Sequence, residues 1–326
     1  MDLETFLAEW NNDSPTLMVH TSGSTGRPKP MRVEKRRMEA SARTTCDFLG
    51  LKEGDTALLC MPLDYIAGKM MVVRALTCGL RLVAVPPQGL PQWQEPVDFA
   101  AMVPLQVWNL LHDSAGRQRL QQVRHLIIGG GAIDEAMAAQ LRQFPHAVWS
   151  TYGMTETLSH IALRRLNGPD RSEWYTPLPG VSISLGDDGC LTVDAPAVCD
   201  GPLHTNDRVE TDGQRFRILG RKDNVVCSGG IKIQIEEVER MLAPHLSAPF
   251  LISKAPDEKL GEQVVLLTEA GSTDAVAEAC RRILPKYWQP RRIVSVARLP
   301  MTATGKPARQ EAQQMAASAT LSPGIL

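Results

Sequence analysis

Nothing in the chain approaches the ~20 consecutive apolar residues that a bilayer span requires, and Met1-Asp2-Leu3-Glu4 is acidic with no signal-peptide core behind it. A cytoplasmic protein is the expectation. An excess of one charge is also missing: 35 Lys+Arg stand against 36 Asp+Glu, a net −1, and basic residues cluster no further than Lys35-Arg36-Arg37 and pairs such as Arg291-Arg292. That balance gives no electrostatic basis for binding nucleic acid or an anionic membrane. The 7 cysteines are an odd number with no C-x-x-C pair, and no histidines cluster at zinc spacing, so the thiols read as reduced side chains. Internal repeats are absent, and the only biased tract is the Ala/Ser/Gln-rich tail from Gln310, expected to end mobile. What is present is ordinary globular material: 326 residues, 43% hydrophobic, suit two domains or one large domain with a small appendage.

The most informative segment is Thr21-Ser22-Gly23-Ser24-Thr25-Gly26-Arg27-Pro28-Lys29. It has hydroxyls, glycines and cations and no large apolar side chain, a composition that suits a polyphosphate cradle. Gly23 and Gly26 permit positive φ and an inward nest of N–H groups, while Ser22, Ser24, Thr25 and Lys29 add donors and charge. Thr16–His20 before it reads as a strand, so the loop should hang from a sheet edge. Walker A spacing fails: the second glycine comes too early and Pro30 stands where Ser/Thr would hold magnesium. A flexible polar surface loop is the competing reading of this segment alone.

Beyond it, helical stretches at 34–49, 66–78, 105–112 and 134–144 alternate with short apolar runs at 56–60, 81–85, 97–102, 125–128 and 147–151. This predicts an α/β large domain whose sheet is mixed but mostly parallel and covered on both faces. From about Gly180, hairpin signals at Gly186-Asp187-Asp188-Gly189 and Asp212-Gly213 predict a small antiparallel unit. A separate α+β pattern follows, with strands at 225–227, 250–253, 263–268 and 292–296 and helices at 235–242 and 274–284. The domains are therefore expected to be 1–221 and 222–326. Gly129-Gly130-Gly131-Ala132 suggests a dinucleotide fingerprint, but Asp134 occupies its third glycine position.

Five motifs in order carry a family resemblance: the loop at 21–29; Tyr152-Gly153-Met154-Thr155-Glu156; Thr205-Asn206-Asp207; Gly220-Arg221-Lys222-Asp223 with Ser228-Gly229-Gly230; and Pro300-Met301-Thr302-Ala303-Thr304-Gly305-Lys306. Together they resemble the adenylate-forming superfamily of acyl-CoA synthetases. Within it, the style of Pro62–Met70 and Ser228–Glu239 is most like the o-succinylbenzoate–CoA ligases of menaquinone synthesis. The resemblance implies an acid–thiol ligase that uses ATP, Mg²⁺ and CoA on a small-molecule carboxylic acid. Alternatives are an enzyme that loads a carrier-protein thiol, and a non-catalytic adenylate-binding protein.

By that resemblance Thr21, Ser22, Gly23, Ser24, Thr25, Gly26 and Lys29 hold phosphates, and Thr155 donates to the α-phosphate. Glu156 is the implied Mg²⁺ ligand, a hard oxygen donor. Tyr152 and Gly153, with Gly130 and Gly131, border the adenine, and Gly131 also borders the acyl group. Asp207 and Arg221 clamp the ribose hydroxyls, a carboxylate and a rigid fork of donors. Lys306 is the mobile point charge of adenylation, Asp223 the hinge, and Ser228, Gly229 and Gly230 the CoA channel. Tyr65 and Lys69 map to the acyl pocket, where a cation suits an acid with a second carboxylate; a solvated lysine at a helix start is the competing reading. Asn206 replaces the family's glycine, and asparagine is the residue that best mimics glycine at positive φ. The chain has far less sequence before its phosphate loop than these enzymes, so one face is expected to be bare or covered by a partner such as a second copy.

Overall fold

The computed structural model describes residues 1–20, 30–302 and 306–318. The chain forms two compact units, Met1–Thr205 with Thr211–Arg217, and Asn206–Glu210 with Ile218–Leu326. Strands Leu203–Thr211 and Phe216–Arg221, members of a four-stranded sheet, each contribute residues to both units.

The first unit is built on a seven-stranded sheet in the order Arg81–Ala84, Thr56–Leu59, Phe99–Met102, His125–Ile128, Ala147–Gly153, His160–Arg165, Thr176–Pro177. The first five strands are mutually parallel, His160–Arg165 runs antiparallel to Ala147–Gly153, and Thr176–Pro177 runs antiparallel to His160–Arg165. Thr56–Leu59 and Phe99–Met102 are buried along their whole length, as strands covered on both faces must be. Helix Lys35–Leu49 buries Met38, Ala42, Thr45, Cys46 and Leu49, a stripe at helical spacing, and ends at Gly50 with φ +67°. Helix Ile66–Cys78 buries eight consecutive residues, from Gly68 to Ala75, and ends the same way at Gly79.

The antiparallel strand His160–Arg165 and helices Leu3–Asn11 and Ser114–Gln121 had no sequence signal strong enough to read. Helix Leu3–Asn11 is packed on the first unit through Phe6, which is completely buried. Strand Thr16–His20 pairs with Pro30–Glu34 as a separate two-stranded ribbon and not as an edge of the large sheet.

In the second unit a five-stranded sheet runs Ile231–Gln234, Val225–Ser228, Gly261–Thr268, Phe250–Asp257, with Arg292–Ser295 parallel to Gly261–Thr268. Alternate residues serve two cores, as the pleat requires. Ile252, Val264 and Leu266 pack with Val238 and Val276 of helices Ile235–Leu242 and Asp274–Ile283. Leu251, Val265 and Leu267 pack with Ala312 and Ala316. Those alanines belong to helix Arg309–Ser318, formed where the sequence suggested only a biased tail.

Candidate active site

Residues 21–29, and with them the phosphate-loop assignments Thr21, Ser22, Gly23, Ser24, Thr25, Gly26 and Lys29, lie outside the described residues. Their flanks are fixed: His20 and Pro30 are cross-strand partners.

At the carboxyl ends of the parallel strands the first unit gathers its other predicted groups, the usual ligand position in such sheets. Gly129 follows strand His125–Ile128 so closely against its neighbour that a Cβ would lie 2.4 Å from Thr151 Oγ1, and Gly130 takes φ +82°. Strand Ala147–Gly153 leads into a 3₁₀ turn, Thr155–Thr157, with Thr155 buried and Glu156 exposed. Thr157 pins this turn: its Oγ1 donates to Ser159 O at 2.8 Å, the shorter of its two carbonyl contacts, and accepts from Met154 N–H at 3.1 Å. Leu158 has φ +65°, the single positive φ outside glycine among the described residues. Backbone strain of this kind persists only where surrounding structure enforces it. Tyr152 is buried against Phe216 (5.0 Å, edge-on) and Tyr175 (6.1 Å), the setting of a core tyrosine.

Behind the turn lies a buried polar chain absent from the sequence reading. Thr45 Oγ1 donates to Ser41 O at 2.9 Å, so it must accept from His160 Nε2–H at 3.2 Å. That fixes the tautomer, leaving Nδ1 to accept from Ser159 Oγ at 3.3 Å, while Ser159 Oγ accepts from Arg74 Nη2 at 2.5 Å. Arg74 is 2% exposed, its Nε has no partner among the described residues, and burial pushes its pKa down to about 10. A cation inside the apolar run Met70-Met71-Val72-Val73-Arg74 was the available signal. Lys69 is also buried, at 2% exposure, which rules out the solvated reading; burial lowers its pKa, with Glu9 and Asp64 opposing. Its Nζ meets Met1 Sδ at 3.2 Å and lies over the Phe6 ring, and its N–H donates to O of Tyr65, the helix N-cap.

His160 gives a pH prediction. Burial, reinforced by Arg74, holds its folded pKa well below 6.5, so the folded protein keeps it neutral while the unfolded chain protonates. A depressed histidine pKa adds stability above the unfolded pKa that is lost as pH falls. Melting temperature is therefore expected to drop between pH 7.5 and 5.5, with a shallower drop in His160→Gln. Equal slopes in the two proteins would refute the assignment.

The second unit brings together four predicted residues, Asp207, Arg221, Asp223 and Lys306. Arg221 donates to Asp207 Oδ1 and to Asp223 Oδ2, each at 3.2 Å, and Gln234 Nε2 fixes the Arg221 carbonyl at 2.8 Å. Lys306 is half-buried beside this pair: burial and then the Arg221 guanidinium lower its pKa, and Asp207 opposes them. Asn206 does not mimic a left-handed glycine; it sits in strand Leu203–Thr211 and its amide donates to Asp223 Oδ2 at 3.2 Å. Gly229 and Gly230, at φ +57° and +84°, form a two-residue turn between Val225–Ser228 and Ile231–Gln234, the type I′ pattern only glycine adopts freely. Asp223 lies in the 3₁₀ turn Lys222–Asn224, exposed. A groove of about 420 Å³ lined by Thr176, Ile183 and Arg215 contains none of the predicted site residues.

The first unit is thus an α/β protein with glycine turns and a Thr-Glu turn at the carboxyl ends of its parallel strands, and the second carries a carboxylate–arginine pair and a lysine. The family model described as AMP-binding enzyme matches residues 4–198, and the chain belongs to that family. It is 30% identical over 306 residues to the 2-succinylbenzoate–CoA ligase of Salmonella typhimurium and 28% over 300 to that of Escherichia coli. Both alignments take in 87% of this chain but only 65% of the relative, so the chain spans under two thirds of their length. Among solved structures, an acyl-CoA synthetase (AMP-forming)/AMP-acid ligase II-like protein from Dyadobacter fermentans is 35% identical with a TM-score of 0.65, over 94% of this chain and 91% of that one. The o-succinylbenzoate CoA synthetase of Bacillus subtilis with ATP and magnesium shares the fold, with a TM-score of 0.74 at 23% identity over 90% of this chain and 69% of that one. Among the described residues no helix is long and apolar enough to cross a membrane.

Proposed function

We propose that the chain is a cytoplasmic AMP-forming acid–thiol ligase. A carboxylate oxygen attacks the α-phosphorus of ATP, the bond to the β-phosphate oxygen breaks, and pyrophosphate leaves. The CoA thiolate then attacks the acyl carbonyl, and the mixed-anhydride bond breaks to release AMP. One observation carries the reading: Lys306 stands half-buried within electrostatic reach of the Asp207–Arg221 pair. A fixed cation beside a hydroxyl-binding carboxylate suits an anion meeting a nucleotide phosphate, where catalysis is mostly positioning and charge. In the same scheme Asp223 is the hinge and Gly229-Gly230 flank the CoA path.

Mg²⁺ fits the donors present. Among the described residues no three acidic, histidine or cysteine groups cluster as a cage, and the exposed carboxylate of Glu156 is the single hard donor that Mg²⁺ adds to phosphate oxygens and water. Bound there, the ion would neutralise phosphate charge. Thr155 would orient the α-phosphate from a turn that Thr157 keeps rigid.

For the acid, o-succinylbenzoate is the proposed substrate, as in the relatives' names. Lys69 faces the N-terminal helix, whereas Arg74 has no carboxylate partner among the described residues. Arg74 is therefore the better cation for a distal carboxylate. In a CoA-dependent pyrophosphate-release assay, Arg74→Gln keeps an N–H for Ser159 but loses the charge. It is expected to raise KM for o-succinylbenzoate at least about tenfold and that for benzoate by less than about threefold, the scale of one charge-assisted contact. Equal effects on both acids would remove Arg74 from the acid pocket, and no pyrophosphate from wild-type protein with any acid would overturn the ligase reading.

A further inference from the structure

Arg309 is the first residue of helix Arg309–Ser318, where a cation opposes the helix dipole and acidic residues are the usual choice. Its side chain is committed elsewhere. Nη1 and Nη2 each donate at 2.7 Å to the two carboxylate oxygens of Glu239, and Nη1 also donates to Ile252 O at 2.9 Å. Glu239, on helix Ile235–Leu242, accepts in addition from Ile252 N–H at 2.9 Å. This is a two-pronged Arg–carboxylate pair, largely out of water and joined to a sheet strand, the geometry that gives such pairs directional strength.

Three residues before Arg309 stands Lys306. The base of its loop is closed by Ala308 N–H to Pro300 O (2.9 Å), Thr302 N–H to Lys306 O (2.7 Å) and Lys306 N–H to Thr302 Oγ1 (3.0 Å). On the incoming side, Leu299 N–H is held by Glu269 at 2.8 Å. On the outgoing side the anchoring side chain is Arg309. We propose that Arg309, gripped by Glu239, is a positioning residue for Lys306: the clamp fixes where the returning arm of the loop enters helix Arg309–Ser318 and so holds the ammonium beside Asp207 and Arg221. The inference rests on the ligase reading for its effect on rate but not for its effect on Lys306 itself.

The test uses the full chain. Arg309→Met is expected to lower kcat of acid-dependent ATP–pyrophosphate exchange about 100-fold, with KM for ATP and the conversion of pre-formed acyl-AMP by CoA each within about threefold, the signature of a misplaced group and not of lost binding. Trace acetylation with N-hydroxysuccinimidyl acetate, read by peptide mass spectrometry, should label Lys306 about fivefold faster in the variant, because the clamp no longer holds the ammonium half-buried. Glu239→Gln retains shape and weakens only the charge; it should lie between the two, and it carries the test if circular dichroism finds Arg309→Met unfolded. Parallel loss of both half-reactions with unchanged labelling would make the pair merely structural and overturn the proposal, as would wild-type exchange in Arg309→Met. If wild-type protein shows no exchange with any acid, the ligase reading fails and the labelling alone decides the clamp: faster labelling upholds it, unchanged labelling overturns it.

Discussion

Replacing Lys306 with alanine is expected to reduce acid-dependent ATP–pyrophosphate exchange by about 10³-fold, the upper range for removing one group that meets developing charge. The physical argument starts from the loop. Thr302 and Lys306 exchange hydrogen bonds through N–H, carbonyl and hydroxyl, so the lysine leaves a closed base. Its ammonium is half-buried near Arg221 and Asp207, where desolvation makes a charge act more strongly than it would in water. Alanine removes the charge and leaves the Asp207–Arg221 pair intact, so KM for ATP should change little. The CoA half-reaction, begun from pre-formed acyl-AMP, should stay near wild-type. Stopped-flow or quenched assays of the two halves separate these outcomes; comparable loss in both would show that Lys306 is not specific to adenylation.

Gly153→Ala should be among the most damaging small substitutions in the first unit. A Cβ there would lie 2.3 Å from Ser159 O and 2.5 Å from His160 Cα, both backbone atoms with nowhere to move. Gly153 pairs with His160 across a register shift after Tyr152, so relieving the clash opens the antiparallel pair that carries the signature turn. Overpacking of this kind costs about 1–3 kcal/mol, and a shift of the Thr155 turn by an ångström is worth about 100-fold in adenylation rate. Gly271→Ala is the control, because its Cβ meets nothing within 4 Å and its φ is not left-handed. Thermal unfolding and ATP–pyrophosphate exchange should fall together in Gly153→Ala and remain unchanged in Gly271→Ala. An active, stable Gly153→Ala would mean that the turn tolerates displacement.

Legibility from sequence followed how local each signal was. Helices Ile66–Cys78 and Ile235–Leu242 were readable to the residue, because apolar periodicity and flanking breakers are local. The His160–Arg165 strand was not, since it follows a strained turn at Leu158 and takes its place only by pairing with Ala147–Gly153. The geometry at Asn206 was open in the sequence for a related reason: asparagine tolerates positive φ, and strand pairing with a hydrogen bond to Asp223 is what sets it. Arg74, His160 and Arg309 escaped because a lone charged residue has no periodicity; what defines each is a partner 85, 115 or 70 positions away.

The sequence by itself determined the α/β class and the order of the glycine, Thr-Glu, Asp and Arg motifs, because turn chemistry and hydrophobic period are written in neighbouring residues. It also determined the absence of a long apolar span and of a charge excess. Only the tertiary structure decided that Lys69 is buried under Phe6, that Arg74 has no carboxylate partner among the described residues, and that Arg309 pairs with Glu239. Burial and ion pairing depend on which distant segments meet, and that is settled by packing the whole chain rather than by any stretch of it.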